Sequence, residues 1–199
     1  AAFFQISPIL QNGIMKKYHI ESSSLDSVTN VYDRKYLIEK IKKIISLSDN
    51  QDKNITFLLI GIDHFKAIIE EFDYDIADKV LIELAKVIHS NIKDFDIVAR
   101  LTGDEFLIAL INLPHPSEAT KIAEKIIKQF ALVKVVVNEK TKQTLQKTIC
   151  IGISTYPQDG KKINDVLKNA DRFLNEAKNK GRGQFAVFTK EQLSTIDLF

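Results

Sequence analysis

The sequence predicts an α+β fold in which helices pack against a mixed β-sheet of about five main strands. From residue 55 onward, segments with strand and helix periodicity follow in the order β-α-α-β-β-α-β-β-α-β, which contains a split β-α-β-β-α-β unit. The run Ile55–Ile62 is almost continuously apolar, which is typical of a strand buried on both faces. A chain of 199 residues, 45% of them hydrophobic, is long enough to bury such a core.

Residues 1–24 are predicted to lie outside this fold. Asn12-Gly13 separates two short apolar runs, which indicates a β-hairpin, and Ser22-Ser23-Ser24 has the polar composition of a linker. Because a lone hairpin is only marginally stable in water, we interpret it as the remnant of an upstream domain. The domain itself is predicted to span residues 25–190, followed by a C-terminal tail over residues 191–199.

Five segments have helical periodicity and are predicted to cover the sheet. Asp33 is placed to cap the first of them, Asp73-Tyr74-Asp75 separates the second from the third, and Gly181 is placed to end the last. Their apolar stripes run over residues 37–45, 65–72, 77–92, 119–130 and 163–177.

The strands beyond Ile55–Ile62 are predicted mainly as pairs. Ile97–Ala99 and Phe106–Ile111 flank Thr102-Gly103-Asp104, which is a signal for a β-hairpin turn. The remaining predicted strands are Val133–Val137, its partner Leu145–Ile153, and a short last strand at Phe185–Phe188.

Asp104 and Glu105 place two carboxylates side by side at the predicted hairpin turn. Burying such charges costs free energy unless a cation or open water compensates them. A divalent metal ion carrying a nucleotide polyphosphate would do so, and solvent around an acidic turn would do so equally well. The turn residues alone favour neither interpretation.

The composition argues against several classes of function. The formal net charge of +2 gives no reason to expect a nucleic-acid partner, and no apolar run reaches the length of a membrane span. Cys150 is the only cysteine, so no intrachain disulfide can form. It lies in an apolar run and is interpreted as a small core residue, and we predict a location in the reducing cytoplasm.

Short motifs at five places carry a resemblance that covers roughly residues 25–190. They are residues 26–34 (DSVTNVYDR), 62–66 (IDHFK), 78–81 (DKVL), 100–106 (RLTGDEF) and 177–182 (AKNKGR). In this order they resemble the GGDEF family, the diguanylate cyclase domains. The resemblance implies a fold like that of nucleotidyl cyclases and polymerase palms. It also implies that two GTP condense to cyclic di-GMP with release of pyrophosphate, in a C2 dimer that brings two half-sites face to face.

The resemblance also implies the catalytic residues. Asp104 matches the metal ligand of the family's hairpin, and Glu105 matches the acid beside it. The implied cofactor is Mg²⁺ or Mn²⁺ when nucleotide binds. Metal ions held by carboxylates stabilise the charge that develops on the attacking hydroxyl and on the leaving pyrophosphate.

Five further positions match residues that bind the nucleotide. Gly103 matches the second glycine of the hairpin motif, where the backbone approaches the phosphates. Lys66, Lys178 and Arg182 match the basic residues near the triphosphate, and Asp78 matches the acid that accepts a hydrogen bond from guanine. Lys66 and Lys178 could equally be solvated surface lysines, and Asp78 an acid favoured by the helix dipole.

Several positions depart from the family pattern. Gly61 stands where the family has a metal-binding Asp, and Asp63, which shares strand parity with it, is a candidate substitute ligand. Ile69 replaces a guanine-reading Asn and offers the base no hydrogen bond. Thr102 replaces the first hairpin glycine, and a β-branched residue does not easily adopt a positive φ. Asp73-Tyr74 replaces a Gly-His pair.

The product-feedback site of the family is altered as well. Its Arg-x-x-Asp pattern is Lys93-Asp94-Phe95-Asp96 here. Lysine lacks the bidentate grip of arginine and does not stack on guanine in the same way. We therefore predict a vestigial feedback site at Lys93 and Asp96.

These departures favour a catalytically impaired domain that acts in cyclic di-GMP signalling by binding GTP or cyclic di-GMP, or by forming a homodimer. An active cyclase that uses Asp63 as a metal ligand is an alternative, which the intact Asp104-Glu105 pair keeps open. A structural relay between an upstream sensor domain and a downstream output domain is a second alternative.

Overall fold

Five helices and eight strands make up the described part of the structure, a computed structural model that describes residues 24–47 and 53–187. The predicted N-terminal hairpin and C-terminal tail lie outside the described residues. The helices are α1 (Arg34–Ser46), α2 (Phe65–Glu71), α3 (Tyr74–His89), α4 (Pro116–Ala131) and α5 (Ile163–Asn179). The strands are β1 (Tyr32–Asp33), β2 (Ile55–Ile62), β3 (Ile97–Thr102), β4 (Glu105–Ile111), β5 (Val135–Asn138), β6 (Gln143–Leu145), β7 (Ile149–Tyr156) and β8 (Phe185–Val187). Among these described helices, none has the length and apolarity needed to cross a membrane.

Six of the strands form one mixed sheet in the order β1-β3-β4-β2-β7-β8. β2 is antiparallel to both β4 and β7, and β3 and β4 form an antiparallel hairpin. β1 and β8 join the two edges in parallel and contain only two and three residues. The predicted α+β architecture around a mixed sheet is confirmed.

Helices cover both faces of the sheet, so every residue of β2 is buried. On one face, Leu58 and Ile60 belong to a core with residues of α2, α3 and α4. On the other face, Phe57 and Leu59 belong to a core with residues of α1 and α5. The prediction that Ile55–Ile62 is a strand buried on both faces is confirmed, and β2 ends between the two helical layers.

The helix ends follow the predicted local chemistry. Asp33 caps α1 by accepting a hydrogen bond from the Tyr36 amide at 2.8 Å, and Asp73 caps α3 through the Ile76 amide at 2.8 Å. Lys180 is the C-cap of α5, and Gly181 follows it with a φ of +121°. Glycine adopts that conformation without strain, so the predicted end of the last helix is confirmed.

The prediction of a single strand over Leu145–Ile153 is wrong. β6 pairs with β5 in a separate two-stranded sheet, whereas β7 joins the main sheet. The predicted strand is interrupted between β6 and β7 because Thr148 contacts Asp63, at the end of β2, instead of continuing the pairing with β5. The Thr148 carbonyl accepts from the Asp63 amide at 2.9 Å, and its hydroxyl donates to the Asp63 carboxylate at 2.6 Å.

Candidate functional site

The β3–β4 hairpin closes with a two-residue turn at Gly103 and Asp104, because Thr102 pairs directly with Glu105. Gly103 has a φ of +52°, a conformation that glycine adopts readily and that two-residue hairpin turns require. Thr102 is the last residue of β3 and is not among the described residues with positive φ. The strain expected from a β-branched residue at position 102 is therefore absent, because Gly103 takes the positive φ.

Asp104, the predicted metal ligand, ties the hairpin tip to the end of β2. Its Oδ2 accepts a hydrogen bond from the Ile62 amide at 3.0 Å. One carboxylate oxygen is thus already used by the protein. The contact places the acidic turn beside the strand end where Gly61 lies.

Gly61 lies directly opposite Glu105 in the β2–β4 ladder. A Cβ atom built on Gly61 would lie 3.2 Å from the Lys178 Nζ and 3.3 Å from its Cε. The ammonium group of Lys178 therefore occupies the space that a side chain at position 61 would enter. The structure brings three predicted site residues, Asp104, Glu105 and Lys178, together around Gly61.

Charge and burial act against each other at Glu105, which is half-buried. Burial raises the pKa of its carboxyl, the Lys178 ammonium lowers it, and the Asp104 carboxylate raises it again, with a net rise. A cleft of about 460 Å³ runs from Glu105 between α1 and α5, with Arg34, Lys168 and Asp171 among its lining residues. The Glu105 carboxyl is therefore within reach of a ligand.

Asp63 lies in a separate network with partners at the start of β7 and in the loop before β8. Its Oδ2 accepts from the Thr148 hydroxyl at 2.6 Å and from the Gly183 amide at 3.0 Å, and its Oδ1 accepts from the Cys150 thiol at 3.2 Å. Arg182 Nη1 lies 3.6 Å from Oδ1. Asp63 is 2% exposed, and each of its oxygens already has a protein partner.

Cys150 is fully buried in β7 and donates to Asp63. Burial raises the pKa of its thiol, although backbone hydrogen bonds from the Gln184 and Gly183 segment oppose the rise. A thiol kept protonated in a core is a poor nucleophile. This agrees with the interpretation of Cys150 as a small core residue.

The other predicted nucleotide-binding residues are spread over two helices. Lys66 lies in the first turn of α2, where its side chain is 90% exposed and 3.6 Å from Glu70. Asp78 is half-buried on α3. Ile69 packs against the core on the α2–α4 face, which gives this residue an apolar structural role at the position of the family's guanine-reading Asn.

Arg100 links the hairpin turn to the segment before β1, a contact that the motifs did not predict. Its Nε donates to the Gly103 carbonyl at 2.8 Å, and its Nη1 lies 3.2 Å from the Asp26 carboxylate. Burial raises the pKa of Asp26, but hydrogen bonds from Thr29 and the charge of Arg100 outweigh it and hold this pKa below its usual value. The presence of Asp26, Thr29 and Arg100 in two of the motifs was the only sequence signal for this contact.

Asp96, of the predicted vestigial feedback site, is held by backbone amides of the protein. Asp96 Oδ2 accepts from the Lys93 amide at 2.9 Å, and its Oδ1 accepts from the Ile111 amide at 3.0 Å. The Lys93 ammonium lies 5.6 Å from the centroid of the Phe95 ring. Both carboxylate oxygens of Asp96 thus accept hydrogen bonds from backbone amides of the protein.

We expect that cyclic di-GMP binds the Lys93–Asp96 site of the monomer no more tightly than about 1 μM, because a point-charge lysine replaces a guanidinium fork. Isothermal titration calorimetry with the intact chain would measure this, and Asp96→Ala is the matched variant. A tighter dissociation constant that is lost in Asp96→Ala would contradict the prediction.

A divalent ion fits poorly among the residues at the hairpin tip. Within residues 24–47 and 53–187, no group of three His, Cys, Asp or Glu side chains could hold a metal ion. Asp104 and Glu105 contribute two carboxylates, Gly61 contributes no side chain, and the ammonium of Lys178 lies over Gly61. A cation already in place repels a second one, so the described side chains at the hairpin tip are a poor site for magnesium or manganese.

Comparisons with known proteins place most of the chain in one family. Residues 23–184 match the family model described as diguanylate cyclase, GGDEF domain. The chain is 30% identical over 163 residues to the bifunctional diguanylate cyclase/cyclic di-GMP phosphodiesterase MucR of Pseudomonas aeruginosa, which covers 82% of this chain and 23% of that protein. It is 30% identical over 165 residues to the response regulator PleD of Caulobacter vibrioides, covering 83% and 36%. The chain therefore spans about a quarter to a third of the length of these two relatives.

Solved structures agree with this assignment. The GGDEF domain of TpbB (YfiN) from Pseudomonas aeruginosa is 25% identical, with a TM-score of 0.78 and coverage of 87% of this chain and 99% of that one. The active GGEEF domain of a diguanylate cyclase from Vibrio cholerae is 28% identical, with a TM-score of 0.70 and coverage of 79% and 97%. The resemblance carried by the motifs is confirmed, and the chain belongs to the GGDEF family, the diguanylate cyclase domains.

Proposed function

We propose that this domain is a GTP-binding regulatory module of cyclic di-GMP signalling with little or no diguanylate cyclase turnover. One observation carries the proposal: the end of β2 presents Gly61, with the Lys178 ammonium in the space of a side chain, where the family has a metal-binding carboxylate. GTP is a cytoplasmic nucleotide, so the proposal places the domain in the cytoplasm.

The chemistry of the family explains why this position matters. Condensing two GTP requires an attack by a ribose hydroxyl on a phosphate and the departure of pyrophosphate, and both steps build negative charge. Diguanylate cyclases of the family generally use divalent metal ions to stabilise this negative charge. Loss of such an ion removes several kcal/mol of stabilisation from the transition state.

Asp63 is poorly suited to replace the missing carboxylate. Its oxygens accept hydrogen bonds from Thr148, Cys150 and Gly183. Turning it toward Asp104 would leave these buried donors without acceptors, and each unsatisfied donor costs about 1 to 3 kcal/mol. This cost favours the regulatory function over an active cyclase with a substitute ligand.

The site residues that match the family suit nucleotide binding better than catalysis. Lys178 and Arg182 supply positive charge beside the strand end, and Gly103 leaves open space above the hairpin turn, since a Cβ there would meet no atom within 4 Å. A nucleotide triphosphate carries the charge that such groups attract. Ile69 faces the core, so we expect weak selection of guanine over adenine.

An active cyclase remains the second candidate, because the hairpin itself is intact. Asp104 lies in the two-residue turn, with the positive φ at Gly103, and Glu105 follows it as the first residue of β4. In that case two copies would have to meet with their half-sites facing each other. A regulatory module could also act through such a homodimer or through a sensor domain elsewhere in a longer chain.

We expect this chain to make cyclic di-GMP at least about 100-fold more slowly than the active GGEEF domain from Vibrio cholerae, because one lost transition-state contact costs about 2.7 to 4 kcal/mol. The measurement is incubation with GTP and Mg²⁺ or Mn²⁺, followed by chromatography of the products. GTP binding is measured on the same samples by calorimetry.

Gly61→Asp combined with Ile69→Asn is the restoring variant for this assay. It returns a metal-binding carboxylate and a base-reading amide, and we expect tighter GTP binding in the presence of Mg²⁺. Turnover by the unchanged chain at the rate of the Vibrio domain would contradict the proposal. An unchanged GTP affinity in the double variant would favour the structural relay instead.

A further inference from the structure

We propose that Lys178 is a built-in cation that takes the place of a divalent metal ion, so that this domain binds nucleoside triphosphate without magnesium or manganese. The inference rests on the GTP binding proposed above and specifies its chemistry. Lys178 matches a basic residue of the family, and what differs in this chain is that Gly61 offers no carboxylate beside it.

The position of the ammonium is fixed by the packing of α5 on β2. Leu174 and Lys178 are one helical turn apart and face the same strand end. Leu174 is 1% exposed, and its Cδ2 lies 3.6 Å from the Cβ position of Gly61, while the Lys178 Nζ lies 3.2 Å from it. The packing of α5 therefore places the Lys178 ammonium at the end of β2, between the sheet and solvent.

The glycine at position 61 keeps this charge available. Within the described residues, no salt bridge includes Lys178. An aspartate at position 61 would start at 3.2 Å from the Nζ and would form an ion pair with it. With glycine there, the ammonium can donate to a phosphate oxygen instead.

The surrounding charges suit one monovalent group better than a divalent ion. Glu105, opposite Gly61, and Asp104, bound to the Ile62 amide, lie at this strand end, whereas the oxygens of Asp63 are taken by Thr148, Cys150 and Gly183. Glu105 and Asp104 attract the ammonium, and the ammonium beside Gly61 repels a divalent ion that would otherwise share these carboxylates with water and phosphate oxygens. A metal-free triphosphate is also more negative than its magnesium complex, so a lysine attracts it more strongly.

The ordinary interpretation is that Lys178 is a surface lysine whose stem covers Leu174 and whose charge is incidental. The two interpretations differ in what magnesium does to binding. An incidental lysine leaves the triphosphate dependent on a metal ion, whereas a built-in cation makes the metal unnecessary.

The experiment titrates the intact chain with GTP by calorimetry, once in EDTA and once in excess Mg²⁺. We expect the two dissociation constants to agree within about threefold. Lys178→Met keeps the stem and removes the charge, and should weaken binding in EDTA about tenfold or more. Lys121→Met, on α4 at the opposite face of the sheet, is the matched charge control and should bind as the unchanged chain does.

Gly61→Asp and Gly61→Asn form a second matched pair, since they differ in charge and hardly in volume. Gly61→Asp should weaken binding in EDTA about tenfold and make it recover with Mg²⁺, whereas Gly61→Asn should leave the ratio of the two constants unchanged. Circular dichroism confirms that each variant is folded.

The outcomes separate this inference from the proposed function. Binding by the unchanged chain in Mg²⁺ but not in EDTA overturns the inference and leaves the GTP-binding function standing. Equal binding by Lys178→Met and Lys121→Met also overturns it. No GTP binding in either buffer overturns both.

Discussion

Replacing Gly152 by alanine is expected to destabilise the domain by more than about 3 kcal/mol, the upper end of the usual cost of overpacking a core. Gly152 lies in β7 where α5 crosses it. An added Cβ would lie 2.0 Å from the Ala170 carbonyl oxygen and 2.4 Å from the Leu174 amide nitrogen. Both are backbone atoms of α5, so the helix would have to move away from the sheet.

Gly61→Ala is the matched control for this change. Its Cβ would meet the Lys178 Nζ at 3.2 Å, which is the far end of a flexible side chain that can shift at small cost. Urea unfolding followed by circular dichroism would compare the two variants. Equal unfolding midpoints for Gly152→Ala and Gly61→Ala would show that α5 does not sit this close to β7, whereas an insoluble Gly152→Ala beside a soluble Gly61→Ala agrees with the expectation.

The close approach at Gly152 also bears on the candidate site. α5 carries both the Ala170–Leu174 contact with β7 and the Lys178 ammonium over Gly61. Because a helix moves as a unit, the same packing that needs glycine at position 152 sets the position of the ammonium. A variant that displaces α5 should therefore lower GTP affinity together with stability.

The elements that could be predicted from the sequence are those whose signal is local. The apolar run Ile55–Ile62 specified β2, and the cap at Asp33 together with Gly181 specified two helix ends. Thr102-Gly103-Asp104 specified the hairpin, although the sequence could not tell that Gly103 rather than Thr102 takes the positive φ. The break between β6 and β7 escaped prediction because its cause, the contact of Thr148 with Asp63, joins residues 85 positions apart.

The candidate site could be predicted as a set of residues but not as an arrangement. Motif spacing identified Asp104, Glu105 and Lys178, and it identified Gly61 as a departure. It could not show that the Lys178 ammonium fills the space above Gly61, since that contact depends on how α5 packs on β2. Strand parity alone predicted Asp63 as a candidate metal ligand, but it could not predict the partners Thr148 and Cys150 that hold the Asp63 carboxylate.

Replacing Asp63 by alanine is the other change with a large expected effect, a destabilisation of about 3 to 5 kcal/mol. The carboxylate is 2% exposed and accepts from Thr148, Cys150 and the Gly183 amide, so its removal leaves three donors without their acceptor. It also leaves Arg182, 3.6 Å away, without its nearest acid. Urea unfolding measures the loss of stability.

The Asp63 network has a second consequence that distinguishes a structural acid from a metal ligand. Asp63 holds the loop in which Arg182 and Gly183 adopt φ values of +61° and +62°. Freeing that loop should weaken GTP binding in EDTA as much as in Mg²⁺, because it displaces Arg182 rather than a metal ion. The exposed Asp94 provides the control Asp94→Ala, which should change neither stability nor binding. If Asp63→Ala instead keeps its stability and loses GTP binding only when Mg²⁺ is present, Asp63 is a metal ligand and the active-cyclase function becomes the better explanation of this site.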